Sequence, residues 1–276
     1  MELQNKTAIV TGSGRGIGEG IAVAFAREGA NVVLIGRGAA DINRVADAIT
    51  TAGGQAIAVP ADVTDSAGLD NVVAQAIDTF GGLDILVNNA GIESTPMMLR
   101  DIAEAQWDKV LAVNLKGVFL SCRAVLPTMM AQGSGRIINI SSLAGVRMSF
   151  FGSADYTASK YGVMGLTNHL AWEVADSGIT VNAICPGAVT TPLAEQTSTP
   201  EYREYVAKRL IPMGRWCTPD DIAQGAVFFA SDRAALITGQ ALEIDGGVMT
   251  GYGEDLRPVV RQRMADLQAT HKAKDG

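Results

Sequence analysis

Short apolar runs alternate with segments of helical spacing along most of this chain, and this alternation constrains the fold more than any other feature. The runs are rich in β-branched residues and apolar throughout, as expected of strands covered on both faces. They lie at residues 7–10, 31–35, 56–59, 85–87, 136–140, 179–184 and 241–244. Helical patterns between them supply the crossovers that parallel strands require. We therefore expect an α/β fold, a doubly wound parallel sheet of about seven strands with helices on both faces.

The distribution of residues favours one domain over two. The chain has 276 residues, of which 47% are hydrophobic and 18% charged, which is enough apolar material for a large single core. No Pro- or Ser-rich linker, internal repeat or low-complexity tract occurs before residue 250. We expect one domain over residues 1–250 and a C-terminal extension over residues 251–276.

A helix is predicted in this extension. Pro258 suits its first turn, and Val260, Met264 and Leu267 then form one apolar stripe. The stripe covers either the surface of its own subunit or that of a neighbouring subunit.

Charge and cysteine content argue against several classes of protein. The net charge is −7 with no Lys/Arg cluster, which disfavours a nucleic-acid partner. The N-terminus enters a strand-like run at once, so no signal peptide is visible, and no uninterrupted apolar run reaches the roughly 18 residues of a membrane span. Cys122, Cys185 and Cys217 lack the spacing of a disulfide framework or a zinc site. We expect a cytoplasmic protein with reduced thiols, no metal and no membrane partner.

A glycine-rich turn joins the first predicted strand to a helix. Gly12 permits a tight turn, Gly16 lets the backbone approach a pyrophosphate, and Gly18 allows the helix to lie close to the strand. The helix N-terminus then faces the phosphates. This order of strand, turn and helix predicts a dinucleotide site that includes Gly12, Ser13, Gly14, Arg15, Gly16, Ile17 and Gly18.

Tyr156 and Lys160 are four residues apart in a helical segment, so they share one face. A phenol ordinarily titrates near pH 10, and it exchanges protons at neutral pH only if its phenolate is stabilised. The Lys160 ammonium could provide that stabilisation. An ordinary surface pair is the alternative for such a spacing taken alone.

Further motifs appear in the order found in one family. They are Asp62-Val63, Asn88-Asn89-Ala90-Gly91, Asn114, Ser141-Ser142 and Pro186-Gly187. With the turn and the Tyr/Lys pair, they make residues 5–250 resemble a short-chain dehydrogenase/reductase. The resemblance implies a single Rossmann-like domain and an oxidoreductase that transfers a hydride between a nicotinamide cofactor and a carbonyl or alcohol.

The resemblance also implies catalytic roles. Tyr156 matches the general acid/base, and Lys160 matches the lysine that binds the nicotinamide ribose and, with the oxidised cofactor, lowers the pKa of the tyrosine. Ser142 matches the donor to the carbonyl oxygen, with Ser141 as the competing candidate because the spacing to Tyr156 is one residue longer than usual. Asn114 matches the asparagine that holds a water on a proton path from Lys160, and a buried polar contact without that role is its alternative.

Cofactor contacts follow from the same resemblance. Asp62 and Val63 are expected beside the adenine, although Asp62 could equally cap a strand. Asn89, Ala90 and Gly91 are expected along the ribose and nicotinamide, where the asparagines could instead form a turn. The segment expected to close over the nicotinamide contains Pro186, Gly187, Val189 and Thr191.

The end of the second strand distinguishes NADP(H) from NAD(H). A carboxylate there binds the ribose 2′-hydroxyl and repels a 2′-phosphate, but this chain has Gly36. Arg37 follows it, and Arg15 in the turn could converge with Arg37 on a 2′-phosphate. We expect a preference for NADP(H), with NAD(H) as the alternative and solvated surface charge as the other interpretation of both arginines.

Residues 93–99, 143–151 and 188–218 are expected to form the lip of the substrate pocket. Their apolar members favour an apolar ketone or alcohol, or else they only pack as core and lid. Glu93 could bind a polyol or repel an acid. The apolar members are Met97, Met98, Leu143, Val146, Met148, Phe150, Phe151, Leu193 and Met213.

Other activities fit the same motifs less well. A reductase of 3-oxoacyl groups on acyl carrier protein would need a basic patch from Arg123, Arg136 or Arg203, and the acidic charge disfavours it. A sugar or polyol dehydrogenase, or a non-catalytic dinucleotide sensor, are further alternatives. The helical segments 106–129 and 156–175 are apolar on more than one face, as in similar proteins that form homotetramers.

Overall fold

Seven parallel strands form one sheet in the order β3-β2-β1-β4-β5-β6-β7. This arrangement comes from a computed structural model, which describes residues 1–93, 97–148, 152–251 and 261–262. Every predicted strand is present, and the observed bounds differ from the predicted ones by one or two residues at most. The strands are β1 (Thr7–Thr11), β2 (Asn31–Gly36), β3 (Gln55–Pro60), β4 (Ile85–Asn88), β5 (Gly135–Ile140), β6 (Ile179–Pro186) and β7 (Ala241–Ile244).

Helices connect the strands and cover both faces of the sheet. They are α1 (Gly16–Arg27), α2 (Ala39–Thr51), α3 (Ser66–Phe80), α4 (Glu104–Leu111), α5 (Gly117–Gln132), α6 (Ala154–Glu173), α7 (Pro192–Thr197), α8 (Pro200–Leu210) and α9 (Pro219–Ala230). Residues 261–262 of the predicted C-terminal helix are described and are helical, whereas Pro258, Val260, Met264 and Leu267 lie outside the described residues.

The apolar strands divide their side chains between two cores. In β1, Ala8 and Val10 pack with α1, α2 and α9, whereas Ile9 between them packs with α3, α5 and α6. Successive residues of a strand point to opposite faces, so an uninterrupted apolar strand serves both cores. Each fully buried Ile or Val side chain contributes about 1.5–3 kcal/mol relative to exposure. This double burial explains why the strands lack a polar face.

The predicted helical run over residues 106–129 is one long helix with a change of winding inside it. A π-helical segment, Ala112–Lys116, joins α4 to α5, so that helical structure extends over Glu104–Gln132. By length and composition this stretch could cross a membrane, although the sequence contains no uninterrupted apolar run of that length. It packs against α3 and α6, as a core helix of a globular domain does.

The sheet topology locates the site. β1 lies between β2 and β4, so the connections that follow β1 and β4 diverge to opposite sides of the sheet. A crevice forms outside the carboxyl ends of strands at such a switch point, and ligands of open α/β sheets bind there. The glycine-rich turn follows β1 directly at this edge.

Candidate active site

The glycine-rich turn requires glycine at the predicted positions, because of either positive φ angles or close backbone approach. Gly12 and Gly16 have φ angles of 65° and 60°, a region that favours glycine. A Cβ atom at Gly18 would lie 2.3 Å from the carbonyl oxygen of Gly12. The turn is therefore a bare backbone cradle at the N-terminus of α1, and its shape and partial positive charge fit the pyrophosphate of a dinucleotide.

Asn89, which directly follows the neighbouring strand β4, stabilises the glycine-rich turn. Its Nδ2 atom donates to the carbonyl oxygens of Thr11 at 3.0 Å and Gly12 at 3.1 Å. In return, Thr11 Oγ1 accepts from the backbone N–H groups of Asn89 and Ala90. The expected position of Asn89 along the ribose is thus accompanied by a structural role, because its amide fixes the turn. Ala90 and Gly91 follow at the same edge.

The segment after β6 reaches across to the turn. Gly187 packs against the backbone of Asp245, where a Cβ atom would be 2.9 Å from the Asp245 Cα. Val189 pairs with Cys217 in an isolated parallel bridge. Thr191 caps α7 by accepting from the Ala194 N–H, and its methyl carbon would lie 3.4 Å from a Cβ on Gly16. The structure therefore brings this segment, which begins at Pro186, to the predicted cofactor cradle.

The residues predicted beside the adenine have local partners of their own. Asp62 Oδ1 accepts from the backbone N–H and the hydroxyl of Thr64, at 2.9 and 2.8 Å, and the first of these bonds is the main reason that the pKa of Asp62 is lowered. Val63 is buried against Gly117, where a Cβ would lie 2.8 Å from its Cγ2 atom. Its side chain thus packs on the start of α5.

Two arginines lie at the expected 2′ end of the site. Arg15 and Arg37 are both exposed, and neither forms an ion pair within the described part of the chain. Arg44 behaves differently, since it binds both carboxylate oxygens of Glu19 and the carbonyl of Gly14. Arg44 fixes the turn, whereas Arg15 and Arg37 remain available to a ligand.

Tyr156 and Lys160 lie in the first half of α6 with the spacing expected. The Lys160 Nζ atom is 5.6 Å from the centroid of the Tyr156 ring and donates to the carbonyl oxygen of Ile140 at 2.9 Å. Burial lowers the pKa of Lys160 to about 8. Burial also raises the pKa of Tyr156 to about 12, and a hydrogen bond from Ser142 acts in the opposite direction.

Without a bound cofactor, burial of the phenol thus dominates the pKa of Tyr156. Tyr156 is therefore a neutral phenol at neutral pH, a form that can donate its proton. The lowering of its pKa by Lys160 together with the oxidised cofactor stays a prediction.

The two candidate serines have different partners. Ser141 is buried, and its hydroxyl donates to the carbonyl of Lys160 in α6. Ser142 is half-buried and its oxygen accepts from the Ala144 N–H, which leaves its hydroxyl proton for the Tyr156 side of the site. Gly145 is required beside them, because a Cβ there would be 2.4 Å from the Ser141 hydroxyl oxygen. This geometry favours Ser142 as the donor to substrate.

The hydrogen bonds of the Asn114 side chain account for the presence of an asparagine inside a helix. Asn114 lies in the π-helical segment, 1% exposed, and its Oδ1 atom accepts from the Ile92 N–H at 2.8 Å. Its Nδ2 atom donates to the Ile92 carbonyl at 2.9 Å and to the Ser159 hydroxyl at 3.2 Å. Asn114 therefore ties the loop after β4 to α6, next to Lys160. Its side chain has the buried polar contacts that were the alternative to a water-holding role.

Two residues of the site were missed by the sequence reasoning. Asp155 is fully buried, and its carboxylate accepts hydrogen bonds from Ser153, the Tyr156 N–H and Gln106. The position of Asp155 immediately before the predicted catalytic tyrosine is the sequence feature that could have identified it. Nothing in the sequence indicated Gln106 as its partner.

Exposed methionines flank the site. Met97, Met98, Met148 and Met213 are between 39% and 72% exposed, so they are not core packing, and they lie in the segments after β4, β5 and β6 that open at the same edge. Leu143 and Val146 are half-buried. Phe150, Phe151 and the side chain of Leu193, also expected at the lip, lie outside the described residues.

Cys122, Cys185 and Cys217 are all buried free thiols. No group of His, Cys, Asp or Glu side chains that could hold a metal ion occurs among the described residues.

Comparisons with known proteins agree with this geometry. A family model described as enoyl-(acyl carrier protein) reductase matches residues 12–249. D-beta-hydroxybutyrate dehydrogenase of Rhizobium meliloti is 43% identical over 254 residues, which cover 88% of this chain and 98% of that protein. 3beta-hydroxysteroid dehydrogenase 1 of Eggerthella lenta is 46% identical over 258 residues, covering 91% and 96%.

A solved structure supports the same assignment. The crystal structure of levodione reductase superposes with a TM-score of 0.86 at 33% identity, covering 91% of this chain and 100% of that one. The matches extend over nearly the whole of each protein, and the glycine-rich turn, Tyr156 and Lys160 lie within them. The chain belongs to the short-chain dehydrogenase/reductase family, whose members are oxidoreductases that use NAD(P)(H) on CH–OH and C=O groups.

Proposed function

We propose that this protein is an NADP(H)-dependent carbonyl reductase or secondary-alcohol dehydrogenase. The observation that supports this most strongly is the grouping of three side chains at one edge of the sheet. This edge, which also bears the glycine-rich turn, holds the neutral Tyr156 phenol, the buried Lys160 ammonium and the Ser142 hydroxyl. These are the groups that carbonyl reduction requires, because oxygen must gain a proton as carbon gains a hydride.

The residues divide the proton chemistry between them. Ser142 donates to the substrate oxygen as negative charge grows on it, and Tyr156 transfers its proton to that oxygen. Lys160 holds positive charge near the phenolate so formed, with its Nζ fixed on Ile140. In the oxidation direction the same tyrosine accepts the proton. The nicotinamide cofactor, when bound, supplies or accepts the hydride.

The proposed preference for NADP(H) rests on the end of β2. Gly36 offers no carboxylate to repel a 2′-phosphate, and the guanidinium groups of Arg15 and Arg37 have no ion-pair partner in the described residues. Charge-assisted bonds to phosphate are among the strongest that arginine makes. NAD(H) is the weaker cofactor on this proposal.

An apolar ketone or alcohol is the proposed substrate class. The exposed Met97, Met98, Met148 and Met213 offer adaptable apolar contacts around the site. Among the relatives, the hydroxysteroid dehydrogenase is named for a substrate of this kind. The carrier-protein alternative is weaker, because its three candidate cations have other partners. Arg123 contacts Ser66 and Phe119, Arg136 pairs with Asp232, and Arg203 donates to the carbonyl oxygen of Ser198.

We also propose a cytoplasmic homotetramer. Phe119 on α5, with Tyr161 and Trp172 on α6, are 45%, 47% and 83% exposed, which is a large apolar area to leave in water. Light scattering coupled to size exclusion would give the subunit number directly. A monomer at micromolar concentration would contradict this assignment.

The activity is tested by NADPH oxidation against a panel of ketones, aldehydes, sugars and acyl thioesters. We expect turnover with apolar ketones, with kcat/KM at least ten times lower when NADH replaces NADPH. Best turnover with sugars or with acyl thioesters would instead support the polyol or carrier-protein alternative. Bound cofactor with no turnover on any substrate would support a sensor.

A further inference from the structure

The proton chemistry above does not use one carboxylate that the chain places at this edge of the sheet. Glu93 follows β4 by five residues, in the loop that opens at the same sheet edge as Tyr156 and Lys160. We propose that Glu93 selects the charge of the substrate, so that the enzyme accepts neutral carbonyl compounds and rejects those with a carboxylate near the reacting carbon. This inference rests on the proposed function and narrows its substrate class.

The backbone at Glu93 is held in place. Asn114, itself buried, bonds both the N–H and the carbonyl of Ile92, the residue before Glu93. The same amide contacts the Ser159 hydroxyl, which in turn donates to the carbonyl of Tyr156 at 2.7 Å. A short chain of hydrogen bonds therefore fixes the base of Glu93 relative to the helix that bears the tyrosine. The charge at position 93 is part of the site geometry.

The Glu93 carboxylate acts on both reacting groups. Burial is the main influence on the pKa of Tyr156 and on that of Lys160, and the negative charge of Glu93 raises both pKa values. Partial burial raises the pKa of Glu93, and the charge of Lys160 lowers it. Among the described residues, Lys160 is the cation whose charge acts on Glu93, and its Nζ atom is bonded to Ile140.

The chemical consequence follows from the sign of the charge. A second carboxylate, brought in by substrate, would meet the negative charge of Glu93 at the mouth of the site, where close like charges repel. Like charges in such a position disfavour binding, and this repulsion is a common source of specificity. A neutral ester or amide of the same shape escapes the repulsion. We expect discrimination on the order of 10- to 100-fold in kcat/KM.

The test compares two substrates that differ in charge, ethyl 3-oxobutanoate and 3-oxobutanoate. The readout is the ratio of their kcat/KM values in the wild type, in Glu93→Gln and in Glu104→Gln. Glu93 also acts on Tyr156, so we expect absolute rates to change in the variant, but the ratio cancels changes common to both substrates. Glu104, an exposed carboxylate on α4, is the matched control for loss of one negative charge.

We expect the wild type to favour the ester. The Glu93→Gln variant should raise the kcat/KM on the acid relative to that on the ester by about 10-fold or more. The Glu104→Gln variant should show the same ratio as the wild type. Equal use of acid and ester by the wild type, or an unchanged ratio in Glu93→Gln, would overturn the inference.

A binding measurement separates this inference from the proposed function. Hexanamide and hexanoate are titrated against the protein with NADPH bound, and the cofactor fluorescence is followed. We expect the amide to bind at least about 10-fold more tightly in the wild type and the two to bind alike in Glu93→Gln. Absence of turnover on every ketone would reject the proposed function alone, whereas equal binding of both probes to the wild type would reject the role of Glu93.

Discussion

Gln106 donates through Nε2 to the Asp155 carboxylate at 3.0 Å and so joins the first turns of α4 and α6. The other carboxylate oxygen accepts from the Ser153 hydroxyl and from the backbone N–H of Tyr156, each at 2.8 Å. A carboxylate at the start of a helix is favourable, because the free N–H groups there carry partial positive charge. This arrangement holds Tyr156 in position from its backbone.

Asp155→Ala should destabilise the fold and misplace the tyrosine. Removing a buried, multiply bonded carboxylate leaves its donors unsatisfied, and we expect a loss of about 2–4 kcal/mol in the free energy of unfolding. Urea denaturation measures that loss, and the kcat of the folded variant measures the displacement of Tyr156. Gln106→Ala is the milder companion, with an expected loss of about 1 kcal/mol. Unchanged urea midpoints in both variants would contradict the positioning role.

Tyr156→Phe should abolish turnover while NADPH binding remains close to that of the wild type. The substitution removes only the hydroxyl, so the expected loss in kcat is on the order of 10²- to 10⁴-fold. Lys160→Ala should impair both turnover and cofactor binding. Fluorescence titration of NADPH gives the binding constants, and comparable turnover in Tyr156→Phe would refute the assignment of the general acid.

The buried Lys160 should leave a signature in the pH dependence of stability. The folded protein releases the Lys160 proton near pH 8, whereas the unfolded chain holds it to about pH 10.5. Between these values the unfolded state binds more protons, so stability rises with pH, and below pH 8 the penalty of the buried charge is present in full.

The Lys160→Met substitution removes the titrating amine. The difference in free energy of unfolding between wild type and variant therefore reports the contribution of Lys160. We expect the free energy of unfolding of the wild type, relative to Lys160→Met, to rise by up to about 3 kcal/mol from pH 7 to pH 10. Urea unfolding at several pH values measures it. A difference that does not vary with pH would mean that Lys160 keeps an ordinary pKa in the fold.

Arg37→Ala should reduce the use of NADPH and not that of NADH. Loss of a charge-assisted phosphate contact typically costs about 1.5–3 kcal/mol, which corresponds to a 10- to 100-fold fall in kcat/KM for NADPH. Arg27→Ala, at the exposed C-terminal end of α1, is the control for loss of one positive charge. A parallel fall with both cofactors would assign Arg37 a structural role.

Local patterns were sufficient to predict the layers of this fold. The strands are uninterrupted apolar runs between turn residues, so their positions in the chain are visible before any contact is known. The glycine-rich turn was equally clear, because positive φ and close approach leave glycine as the suitable residue at Gly12 and Gly16.

Contacts between distant residues were not visible in the same way. Asn114 and Ile92 are 22 residues apart, and Gln106 and Asp155 are 49 apart, so each pairing depends on how α4, the π-helical segment and α6 pack. The sequence indicated that the Asn114 side chain has a hydrogen-bond partner, but it did not show which residue that partner is. The balance of burial and charge at Tyr156 likewise depends on two distant residues, Ser142 after β5 and Glu93 in the loop after β4.

The bonds between Asn114 and Ile92 have a consequence for how this enzyme could change during evolution. Asn114 contacts only the backbone of Ile92 through these bonds, one donor and one acceptor, as a neighbouring strand would. The next position, Glu93, can therefore exchange its side chain while the path of the loop and the place of the tyrosine are retained. If Glu93 selects substrate charge as proposed, a single codon change at this position alters the substrate range while the catalytic geometry is retained.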